Sequence, residues 1–90
     1  MNAGKACDTL VDVLNASARG DRGIVLIDGS NEDRFVPYAE LRSTALALLG
    51  RLRRAGAERG MEIVFQIEDN FAFLVLFWAC QMGGMVPVPV

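Results

Sequence analysis

The hydrophobic positions divide the chain into short segments with two different periods. Between Thr9 and Ala18, Leu10, Val13, Leu14 and Ser17 recur at helical spacing. Asp8 stands where a cap would start such a helix, and Gly20 lies just beyond its end, so a short amphipathic helix is predicted. Residues 1–8 read as a flexible N-terminal tail ahead of it. Gly23 to Asp28 is a β-branched run, Ser30 to Asp33 a polar turn cluster, and Arg34 to Val36 a second short β run. Two extended runs around a turn cluster predict a hairpin.

The strongest periodicity lies between Pro37 and Ala55. Leu41, Ala45, Leu48, Leu49 and Leu52 form one apolar stripe at helical spacing, with Arg42, Arg51, Arg53 and Arg54 largely off it. Pro37 suits the first helical position, where its missing N–H costs nothing. Glu40 in the first turn and the arginines near the end both complement the helix dipole, and Gly56 stops the helix.

Met61 to Ile67 reads as a mostly buried strand. Asp69 or Asn70 then caps a helix over Phe71 to Met82, Gly83-Gly84 ends it, and Met85 to Val90 is extended again. Strand, helix and strand with short joints predict a parallel pair with a right-handed crossover. The order of elements is αββαβαβ, an α/β arrangement. Pro87 and Pro89 are two apart, so their missing donors fall on one side of the last strand. Weak pairing is expected there, in a strand that sits at an edge or leaves its sheet. The apolar run reaches Val90 without a cap or turn, which is read as a strand continued by further sheet.

Composition sharpens this picture. Ninety residues make one small domain at most. Yet 52% are hydrophobic, and mean hydropathy is +0.29. So rich a small chain is expected to carry surface that more chain or a partner covers. Nine basic residues against eleven acidic ones give no electrostatic case for nucleic acid or an anionic membrane. Arg51, Arg53, Arg54 and Arg59 cluster, either as a solvated helix face or as a docking patch for a neighbouring domain. Cys7 lies in a polar stretch and Cys80 in an apolar one. That contrast argues against a disulfide framework and for a reducing, cytoplasmic setting. Met1 to Lys5 has no signal-peptide pattern. The apolar run Phe71 to Cys80 is about half of the ~20 residues that a membrane helix requires.

The chain offers little chemistry. It contains no histidine, which removes Ser-His-Asp and Cys-His arrangements and the usual zinc sites. No glycine-rich phosphate loop is present, and Gly83-Gly84 follows a helix instead of preceding one. The carboxylate pairs Glu32-Asp33 and Glu68-Asp69 sit in turns, as solvated groups or caps. Glu62 and Gln66 are expected to face solvent or an absent neighbour. Phe71, Phe73, Phe77 and Trp78 lack the interleaved basic residues of a stacking platform, so they read as core.

Two segments say more. Phe35-Val36-Pro37-Tyr38-Ala39-Glu40-Leu41 resembles the first core motif of adenylate-forming enzymes, a Tyr-x-Glu-Leu helix start. Gln81-Met82-Gly83-Gly84-Met85-Val86-Pro87-Val88-Pro89-Val90 resembles the second, a helix end, a glycine turn and a Val-Pro strand. Between them, Arg54 to Gly60 resembles the family's glycine connector, with Met61 where an Asp is usual. Asp69-Asn70 with its apolar helix, and Thr9 to Leu14 as the opening helix, fit the same order. The resemblance runs from residue 9 to 90 and is nearest in flavour to the adenylation domains of non-ribosomal peptide synthetases. Acyl-CoA synthetases and fatty-acyl-AMP ligases are near relatives. The family often has Ser or Thr where Pro37 stands, in a capping box with the following Glu. Proline lacks both groups that box uses, so Glu40 is left to act through the dipole, or the helix starts one residue later.

The resemblance implies that residues 9–90 are the first part of the large, layered N-terminal domain of such an enzyme, incomplete without the remainder. It implies a parent that activates a carboxylic acid with ATP and Mg to an acyl-adenylate, then passes the acyl group to a phosphopantetheine thiol on a carrier protein, in natural-product biosynthesis. The family's phosphate loop, acid pocket, ribose-holding Asp and catalytic Lys have no counterparts here. No catalytic, cofactor-binding or metal residue is therefore assigned, and the segment itself is expected to be structural, inactive and prone to self-association. The alternative reading is a stand-alone interaction module derived from such a domain, whose open Met85–Val90 strand pairs with a copy of itself or a partner.

Overall fold

The computed structural model describes residues 9–27 and 33–90. The expected tail over residues 1–8, the Asp8 cap, Cys7, and most of the turn at Ser30–Asp33, Glu32 included, lie outside the described residues. The elements run α1 (Leu10–Ser17), β1 (Gly23–Leu26), β2 (Arg34–Pro37), α2 (Tyr38–Arg54), β3 (Glu62–Phe65), α3 (Asn70–Gly83) and β4 (Val86–Pro89). This is the α/β order read from the sequence. The strands form two separate pairs: β1 with β2 antiparallel, and β3 with β4 parallel.

The first helix begins at Thr9, whose side-chain hydroxyl accepts from the Asp12 N–H at 3.0 Å, a standard N-cap bond. Its expected apolar face is corrected by the packing. Leu14 is buried, whereas Leu10 and Val13 are exposed. Arg42 of α2 donates from Nε to Asn15 Oδ1 at 2.6 Å and ties the helix down through a polar contact.

Pro37 does not occupy the first helical position. It closes β2 with extended dihedrals (φ −61°, ψ 144°) and serves as the N-cap of α2 without a side-chain bond. The helix starts one residue later, at Tyr38. The Tyr38 N–H finds its partner in the Arg22 carbonyl, 3.0 Å away at the start of β1. The hairpin thus supplies a backbone acceptor for a helix end that lacks a capping hydroxyl. Gly23 makes this approach possible, since a β-carbon there would stand 2.7 Å from Pro37 Cα. At the other end, the Gly56 N–H bonds to the Arg53 carbonyl and the Ala57 N–H to that of Leu52, the paired bonds of a Schellman stop.

The core is where α2 and α3 cross over the inner faces of the strands. Leu41, Ala45 and Leu49 from α2 meet Val75, Leu76, Ala79 and Cys80 from α3, with Val36, Phe65, Leu14 and Met85 around them. Burying a side chain of this size is worth about 1.5–3 kcal/mol, so this helix pair carries most of the cohesion. Phe73 packs edge-on against Phe65, with ring centroids 5.4 Å apart, and Phe77 does the same with Trp78 at 5.5 Å. The aromatics belong to the packing, as expected, although all four on α3 are only half-buried.

Strand β3 departs from its expectation. It is not mostly buried: Phe65 faces the core and Ile63 is half-buried, while Glu62 is exposed and Val64 is 64% exposed. Alternation along a strand sends successive side chains to opposite faces, and here only one face is covered. The weak pairing expected of the Val-Pro strand is also corrected. Val86 donates to the Met61 carbonyl at 2.8 Å and Val90 to that of Phe65 at 3.0 Å. The N–H and C=O of the valines face β3, so the proline positions face the opposite edge, where their missing donors break no bond of the pair.

Candidate functional site

The glycine connector, the glycine turn and the Asp69 cap come together around the two ends of α3. At its C-terminus, Gly84 adopts a left-handed conformation (φ 72°), which glycine reaches without a steric penalty. The Met85 N–H then bonds back to the Cys80 carbonyl at 2.9 Å. The Gly84 carbonyl accepts from Gly60 N–H at 2.8 Å. The connector Arg54–Gly60 and the turn Gly83-Gly84 are therefore one joint. Arg59 lies across Gly84 and fills the space a side chain would take there.

At the N-terminus of α3, Asp69 accepts from the Ala72 N–H at 2.8 Å. Of the two capping candidates, Asp69 is the cap and Asn70 the first helical residue. Arg34 of β2 spans the gap to this end. Its guanidinium carbon sits 4.3 Å from the Phe71 ring centroid, and its Nη2 lies 3.2 Å from Glu40 Oε2. Glu40 is thus neither a capping-box member nor only a dipole partner. It holds the cation that stacks on Phe71.

These contacts organise backbone. Among the described residues no polar or charged side chain is buried, and no three His, Cys, Asp or Glu side chains gather as metal ligands would. Glu68, Glu62 and Gln66 are exposed, as is Asp33. The arginines Arg51, Arg53, Arg54 and Arg59 are exposed too. Cys80 is fully buried with a free thiol, and burial pushes that thiol's pKa up. The thiolate needed for nucleophilic chemistry is disfavoured there. An open groove of about 380 Å³ runs between α2 and α3, lined by Leu48, Arg51, Ile67, Phe71 and Val75 among others. It is apolar apart from its Arg51 and Thr44 rim. No described helix is long and apolar enough to cross a membrane.

Known proteins place this architecture. No family model matches the chain. An acyl-CoA synthetase of Caulobacter vibrioides is 36% identical over 91% of the chain. A 4-hydroxybenzoate–CoA/benzoate–CoA ligase of Rhodopseudomonas palustris is 35% identical over 87%. The chain spans only 14% of each of these relatives. Among solved structures, the adenylation domain of a keto acid-selecting non-ribosomal peptide synthetase module, bound to keto acyl adenylate, covers the whole chain. It does so at 34% identity and a TM-score of 0.83, and the chain covers 17% of it. An A-PCP protein complexed with phenylalanyl-adenylate matches 91% of the chain at 34% identity and a TM-score of 0.84, over 15% of its own length. Sequence and fold agree across the helices and both strand pairs, and the chain is a segment of an adenylate-forming enzyme.

Proposed function

We propose that this chain is scaffold for an ATP-dependent, carboxylate-activating enzyme: it builds part of the large domain and does none of the chemistry itself. In this reading the parent forms an acyl-adenylate and passes the acyl group to a phosphopantetheine thiol, in peptide or polyketide assembly. Its partners are the remainder of the domain and a carrier protein, and it works in the cytoplasm. The observation that carries the reading is the match over the full chain to an adenylation domain that binds an acyl adenylate. The A-PCP relative supports the carrier as acceptor. The CoA-ligase names of the curated relatives keep a CoA thiol as the competing acceptor.

ATP and Mg belong to the parent in this proposal. The residues here do not fit them. The described carboxylates are dispersed, the glycine turn closes a helix instead of opening one, and Arg34, Arg42 and Arg59 are spent on Phe71 and Glu40, on Asn15 and on Gly84. What the segment supplies is shape: the α2–α3 core, the Gly60–Gly84 joint and the Arg34–Glu40–Phe71 bridge hold a parallel strand pair in place. ATP–pyrophosphate exchange by the purified 90-residue chain across a panel of carboxylic acids tests this directly. No exchange above a no-protein blank is expected with any acid, and exchange with any of them would overturn the assignment of a purely structural role.

A further inference from the structure

We draw no further inference here: the strongest candidate, the open apolar groove between α2 and α3 lined by Leu48, Ile67, Phe71 and Val75, belongs to a chain that spans 14% of its curated relatives and 17% of the adenylation domain it matches, and nothing in the structure shows what covers it.

Discussion

Leu49 Cδ1 lies 2.6 Å from the point where a β-carbon on Gly83 would stand. The last turn of α3 has no side chain at Gly83, and the Leu49 side chain of α2 enters that space. Met85 closes on the same point from the other side, with its Cε 3.1 Å away. Leu49 is 4% exposed and Met85 4%, so neither has room to withdraw. Gly83 and Gly84 therefore have different tasks: the first admits a neighbouring helix, and the second turns the chain.

Gly83→Ala should destabilise the fold by about 1–3 kcal/mol, the usual range for overpacking a filled core. Urea unfolding followed by circular dichroism reads this as a lower midpoint at constant slope. Leu49→Ala in the same chain should recover part of the loss, because it empties the space the new methyl needs. Additive losses would show that the two residues do not compete for one volume.

Gly84→Ala acts on the backbone instead. A non-glycine residue held in the left-handed region costs about 1–2 kcal/mol, and here the methyl would also displace Arg59. No change at Leu49 should rescue this variant. Rescue by Leu49→Ala would show that the penalty comes from crowding and not from the turn.

Asp69→Ala should cost about 1 kcal/mol through loss of the bond to the Ala72 N–H, while Asp69→Asn should stay close to the parent chain, since both residues cap well. Thermal unfolding of the two variants side by side measures the difference. Equal losses would mean that the carboxylate acts through charge and not as a hydrogen-bond acceptor.

The Arg34 bridge is half solvent-exposed. Its ion pair with Glu40 is worth at most about 1 kcal/mol, and stacking on Phe71 adds about 0.5–1 kcal/mol. Glu40→Gln should therefore cost less than Phe71→Leu, and Arg34→Lys should keep the charge pair while losing planar stacking. Double-mutant cycles on the Arg34–Phe71 and Arg34–Glu40 pairs separate the two contributions. A larger coupling for Glu40 would reverse the order argued here.

Cys80 gives a pH signature. Its thiol pKa is raised in the folded chain by burial, so the unfolded chain loses this proton first as pH rises. Stability from this group is complete below the ordinary thiol range and declines above it. Alkylation at pH 8 in a Cys7→Ser background should be slow without urea and fast with it. Cys80→Ala should flatten the alkaline loss of stability. Rapid native labelling would contradict the burial on which the α2–α3 contact rests.

Much of this was legible in the chain because local signals and packing agree. The α2 stripe predicts Leu41, Ala45, Leu48, Leu49 and Leu52 as one inward face; Leu41, Ala45 and Leu49 are buried, and Leu48 and Leu52 at its margin are half-buried. Helical period, glycine stop and flanking arginines pointed the same way. The βαβ unit was legible for a similar reason, since short joints leave one handed route between its strands. What was not legible depends on neighbours. On α1, Leu10 and Val13 fit the helical pattern but stay exposed, and Leu14 alone of the three reaches the core. On α3 nearly every position is apolar, so periodicity marks no inward face. The role of Glu40 was hidden because its partner Arg34 arrives through the hairpin fold. Of the two helix starts the sequence allows, Pro37 or the next residue, the structure has the later one, and the acceptor for the Tyr38 N–H, the Arg22 carbonyl, is distant in sequence. The prolines of β4 showed that one side lacks donors. Only the pairing with β3 shows which side.

The proposed scaffold role is tested by replacing the matching segment of the keto acid-selecting adenylation domain with residues 9–90 and measuring ATP–pyrophosphate exchange with its keto acid. Exchange should persist, because in this reading the segment contributes packing and no reacting group. A chimera that is soluble and cooperatively folded yet shows no exchange would contradict it.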